Sequence, residues 1–143
     1  MALDSASLAQ ALLDLGDPES SAEAAQAWAS AIGDYADEVV PPSTTVSEAT
    51  SALATALAAA FASPAAAPLM EVAFLAFGVT VGGGMAPAFV AVPPATPVGF
   101  VAFMAVMRDS REAAMQELAG IIDNWMKTGT ATPALGGPPV TWS

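Results

Sequence analysis

The side chains able to do chemistry in this sequence are almost all carboxylates. Asp and Glu number 14 against three Lys and Arg, with no His and no Cys. The densest run, Asp34, Asp37 and Glu38, would serve acid-base catalysis or hold a hard cation if it faced a cleft. A like-charge run beside a helix end is ordinarily a solvated surface, and that reading is taken here. The serines have no imidazole to act as their base, so the usual Ser-His route to a nucleophile is closed. Thiolate chemistry, disulfides and Cys/His zinc sites are excluded by composition. Gly82-Gly83-Gly84-Met85-Ala86-Pro87 lacks the Gly-Lys-Ser/Thr ending of a phosphate loop, and the sole Lys, Lys127, lies 43 residues past the triple Gly. Arg108 and Arg111 read as partners of nearby acids. The expectation is therefore no catalytic residue, no metal site, no cofactor, no small-molecule substrate and no enzymatic activity.

Charge then bounds the partners. A net charge of -11 repels phosphate backbones, so no nucleic-acid partner is expected. Nine of the 14 acids (Asp4, Asp14, Asp17, Glu19, Glu23, Asp34, Asp37, Glu38 and Glu48) lie in the first 50 residues, and no basic residue precedes Arg108. Val72 to Met107, 36 residues, carries no charge at all. Inside that run Phe89, Val90, Val92 and Phe100 are candidate interface residues, joined by Trp142 near the C-terminus, an aromatic anchor onto this subunit or a neighbouring one.

The elements that position these residues are mostly helical. At 143 residues and 55% hydrophobic, the chain is one domain's worth and can bury a core. Leu8, Leu12 and Leu15 mark a helix over about 4–15, stopped by Gly16-Asp17-Pro18. Ser20 with Glu23 is a capping box opening a helix to about Asp37, with Trp28, Ile32 and Tyr35 on one face. Val39-Val40-Pro41-Pro42 breaks it. Thr45 with Glu48 is a second box, opening a helix with Leu53, Leu57 and Phe61 that closes at Ser63-Pro64. Asp109-Ser110-Arg111-Glu112 opens a last helix bearing Met115, Leu118, Ile122 and Trp125 and ending before Thr128-Gly129.

The apolar middle is ambiguous by period alone. Pro68 to Phe77 reads as a helix with Met70, Phe74 and Phe77 on one face. Val79 to Pro87 reads as an extended stretch into a flexible turn, and Phe89 to Val92 as a short strand or extended segment; residues 78–97 remain open between strand, helix and loop. Residues 98–107 read as a helix packed by Phe100, Phe103 and Met107. Ser21-Ala22-Glu23-Ala24-Ala25 is echoed 89 positions later by Ser110-Arg111-Glu112-Ala113-Ala114, which suggests pseudo-duplicated helical hairpins around 4–37 and 98–127, set against the plainer account of shared helix-start grammar. The fold class is mainly α: a small bundle of about five to six helices with an irregular or short-strand apolar middle, forming a domain over 1–127, and an extended C-terminal tail over 128–143.

A membrane span needs roughly 20 apolar residues. Val72 to Val92 has the length, yet Gly82-Gly83-Gly84 and Pro87 interrupt it and Glu71 abuts its start. The acidic N-terminal stretch lacks the basic region of a secretory signal, so no signal peptide is expected.

The helix Ala24-Ala25-Gln26-Ala27-Trp28-Ala29-Ser30-Ala31-Ile32, the helix end Phe61-Ala62-Ser63-Pro64, the Phe89 to Pro94 segment, and Trp125 to Thr130 running on to Pro138 to Trp142 together resemble small virion structural proteins of tailed bacteriophages, from the tail, neck or baseplate region. The resemblance implies a non-enzymatic subunit, assembled in the host cytoplasm into the virion. Its partners would be other copies of itself and other virion proteins, reached through the apolar middle and the C-terminal tail. It carries over no functional residue. The alternative is a membrane-active lysis or pore component using residues 69–107.

Overall fold

The computed structural model describes residues 2–16 and 18–143; the stop signal at Asp17 lies outside the described residues. Its elements are α1 (Ser5–Leu13), α2 (Ser21–Ala36), α3 (Val46–Phe61), α4 (Ala66–Gly83), β1 (Phe89–Val92), α5 (Phe100–Met104), α6 (Arg111–Met126), β2 (Thr130–Pro133) and β3 (Val140–Thr141). The protein is mainly helical, with one small antiparallel sheet in the order β1-β2-β3.

Local chemistry explains three of the six helix starts among the described residues. Asp4 caps α1, one carboxylate oxygen accepting the Ala6 N–H at 3.0 Å and the other the Ser7 hydroxyl at 2.7 Å. Ser20 and Ser110 cap α2 and α6 alike, each accepting the backbone N–H three residues on at 3.1 Å. The Thr45 box does not form. Its hydroxyl donates instead to the Thr80 carbonyl at 2.6 Å, while Ser43 donates to the Val81 carbonyl at 2.6 Å. A tertiary partner outcompetes the local cap, and the start of α3 is thereby tied to the end of α4.

The middle departs most from expectation. The segment read as extended from Val79 is the last part of α4, which runs 18 residues to Gly83. Gly82 and Gly83 cost about 1 kcal/mol each in a helix relative to Ala, and packing around the helix and its Gly84 cap offsets this. A Cβ on Gly84 would lie 2.3 Å from both the Ser43 and Thr45 hydroxyls, so only Gly lets the α2-α3 connection come this close. Phe89 to Val92 is a strand, β1. The helix read over 98–107 covers only Phe100–Met104, and Met107 is 96% exposed instead of packed.

The two anticipated hairpins are not packing units. α1 packs chiefly on α6, α2 on α3, and α5 on α4. The echoed serines differ in place: Ser110 is the cap of α6, whereas Ser21 is the first residue of α2 and Ser20 before it is the cap. Nor is the stretch after residue 128 a separate arm. It folds into β2 and β3, with β2 pairing β1 in the register Val90 to Thr132 and Val92 to Thr130. Beyond β3, Ser143 exchanges two backbone hydrogen bonds with Val40, at 2.7 and 3.0 Å.

The core joins these elements. Phe74 meets Phe100 and Trp125 edge-on at ring-centroid distances of 4.8 and 6.0 Å, among Leu8, Leu12, Ile32, Leu53, Leu57, Met70, Leu118 and Ile122, all buried. Trp125 donates its indole N–H to the Thr96 carbonyl at 2.7 Å, fixing the loop after β1 against α6.

Candidate docking surface

Asp34 and Asp37 are exposed at the end of α2 and Glu38 is half-buried. Asp4, Asp34 and Glu38, with Ser7 and Tyr35, rim a cleft of about 400 Å³ floored by Leu8, Ala11 and Ala31. Tyr35 donates its hydroxyl to buried Asp123 at 2.7 Å, and Lys127 pairs with the other Asp123 oxygen at 2.8 Å. Burial, and then the Asp123 carboxylate it faces, hold the Tyr35 phenol far above the ordinary Tyr range. That phenol is thus a fixed hydrogen-bond donor, and the cluster ties α2 to α6. Among the described residues no three acids are grouped closely enough to hold a metal ion.

The exposed apolar residues form a larger feature. On α4, Met70, Phe74, Phe77 and Val81 turn inward, while Leu69, Val72 and Val79, spaced at helical intervals on the opposite side, stay exposed. Val101, Met104, Val106 and Met107 are exposed in and after α5, and Val90 and Val92 stand 64% and 59% exposed on β1. All but Leu69 lie within the charge-free run 72–107, which Glu71 and Arg108 bound.

Two ionic residues hold this surface in place. The Glu71 carboxylate accepts the backbone N–H groups of Val98, Gly99 and Phe100 at 2.6, 2.8 and 2.5 Å, closing the start of α5 onto α4. Arg108 donates to the carbonyls of Phe103 and Val106, pairs with Glu117 at 2.7 Å and lies 4.2 Å from the Phe103 ring centroid. One of three basic side chains in the whole chain thus fixes an exposed apolar knuckle. Ordering it in advance lowers the entropy lost when something docks there.

The expected interface residues divide. Val90 and Val92 lie on the surface, and Phe89 is half-buried. Phe100, at 0% exposure, is in the core because the Glu71 clamp turns α5 inward onto Phe74. Trp142, at 1%, is in this chain's own core. Its backbone N–H donates to the Gly129 carbonyl at 2.9 Å, and its ring lies so close to Gly129 that a Cβ there would stand 2.5 Å from it. Phe100 is corrected from a docking to a core side chain, and Trp142 anchors onto its own subunit, not onto a neighbour. The α4 and α5 surface residues were missed, although their signal, the charge-free run, was in view.

No protein-family model, curated protein or solved structure matches this chain.

Proposed function

We propose that this protein is a non-enzymatic assembly subunit that docks to other protein subunits through the charge-free apolar surface of α4, β1 and the α5 knuckle. The observation that carries this reading is the exposure of that surface in a molecule of charge -11. Clustered apolar exposure beyond scattered single residues ordinarily marks a contact surface, and the acidic remainder keeps the free subunit dispersed. The sequence resemblance supports placing it among virion structural proteins, in an assembly built from repeated copies.

The membrane-active alternative centres on α4, which is long and apolar enough to cross a bilayer. Against it, one side of that helix packs on the protein core through Met70, Phe74, Phe77 and Val81, and Glu71 is committed to three backbone bonds within its first two turns. Flotation of purified protein with neutral phosphatidylcholine vesicles at physiological salt separates the two. The assembly reading expects the protein to remain at the bottom of the gradient; cofloating overturns it.

A further inference from the structure

We infer that β1 is a seam between two copies of this chain, pairing antiparallel about a two-fold axis at Ala91; this rests on the assembly reading above and names its partner. β1 is an edge strand, bonded on one side only, to β2. Its parity is set by two observations. The Ala134 N–H donates to the Ala88 carbonyl at 2.9 Å, and Phe89 faces Pro133, which has no N–H to give. In an antiparallel ladder bonded positions alternate, so Val90 and Val92 bond to β2 while the N–H and C=O of Ala91 point to the open edge. Neither Ala91 group has a partner among the described residues. The Phe89 N–H is already committed to the Met85 carbonyl at 3.1 Å, and Pro93 has none. Ala91 therefore carries the one outward N–H of this edge.

A single outward donor and acceptor on one residue is self-complementary. Two copies related by a dyad there exchange both bonds between Ala91 and its mate. Val90 of one copy then stands opposite Val92 of the other in the closer, non-bonded pairing, twice over. Phe89, whose N–H is spent on Met85, and Pro93, which has none, offer only carbonyls, so this is the one register in which a single residue pair exchanges both bonds.

Charge is compatible with the same occupant. The sheet and α4 beyond Glu71 bear no ionisable side chain, whereas α1, α2, α3 and α6 all carry or are flanked by carboxylates. This face offers nothing to a cationic partner and sets no carboxylate against an equally acidic one, a second copy. Four residues fall far short of the roughly 800 Å² per partner of a standard stable interface, so the seam is weak and concentration-dependent in isolation.

The test uses the full chain, which has no native cysteine. Opposed positions in a non-bonded antiparallel pair have Cα atoms about 4.5 Å apart, within disulfide reach. Under mild oxidation, a mixture of the single variants Val90→Cys and Val92→Cys is expected to give at least about tenfold more cross-linked dimer than either variant alone, because like positions sit beyond that reach. In sedimentation velocity, wild-type mass should rise with concentration from 14.2 kDa toward twice that value. Val90→Lys and Ala91→Pro should lose the rise with unchanged circular dichroism, Pro being tolerated where an edge N–H faces outward. Equal cross-linking in mixture and singles, or a wild type that stays monomeric, overturns the seam. Association that survives Val90→Lys overturns it too, while leaving the assembly reading standing on another part of the surface.

Discussion

Replacing Trp142 by Ala separates a tail that docks elsewhere from a tail that completes its own fold. Truncating a buried Trp typically costs 3–5 kcal/mol, about 4 at the centre of that range. Here part of that is returned, because Trp142 Nε1 is buried with no hydrogen-bond partner, and an unsatisfied buried donor costs about 1–3 kcal/mol. The net expectation is a loss of about 2 kcal/mol, which for a domain of this size lowers Tm by roughly 6–10 °C. Trp142→Phe keeps most of the ring contact and removes the orphaned donor, so it should stay within about 1 kcal/mol of wild type. Gly129→Ala drives a methyl into the indole ring and should destabilise strongly in the wild-type background but much less in Trp142→Ala, the non-additivity expected of touching residues. Thermal melts followed by circular dichroism read the wild type and the four variants. A Trp142→Ala protein that melts within 1 °C of wild type yet no longer associates would refute the core assignment and return Trp142 to a docking role.

Other perturbations reach the clamps and the buried cluster. Glu71→Ala orphans three backbone N–H groups and should cost about 2–4 kcal/mol in urea denaturation, with Glu71→Gln losing about half of that because one acceptor remains. Tyr35 has a folded pKa raised above its unfolded value, so its contribution is complete below the ordinary Tyr value of about 10 and is lost as pH rises beyond it. The wild-type unfolding midpoint should therefore fall more steeply than that of Tyr35→Phe above about pH 10; parallel curves would refute the burial-driven shift. Arg108→Ala should leave Tm nearly unchanged, since its Glu117 partner is exposed, while speeding amide hydrogen exchange over residues 103–107. Unaltered exchange would show that the knuckle holds its shape without the clamp.

The sequence was most legible where a local rule had no competitor. Ser20 caps as its spacing says, the Asp109 to Glu112 box opens one residue late with Ser110 as the cap, and the stripes Leu8/Leu12, Leu53/Leu57 and Leu118/Ile122 are buried as their helical period says. Thr45 carries the same signature and fails, because its hydroxyl is turned to donate to the Thr80 carbonyl, 35 residues away, and not to accept from the N–H groups of its own helix start. The triple Gly reads as a turn in isolation and is the end of a helix in the fold, since nothing in the local sequence announces that residues 43–45 cross it closely.

Composition and patterning by themselves determined the helical class, the absence of thiol and imidazole chemistry, and the charge-free band from Val72 to Met107. Only the tertiary structure decided which members of that band are core and which are surface. Phe100 and Val101 are neighbours in sequence, equally apolar, and end at 0% and 56% exposure. The period of an element says which side chains share a face. What covers that face depends on contacts between distant segments, such as the Glu71 carboxylate gathering three N–H groups from 27 to 29 residues away, and no short-range pattern encodes them.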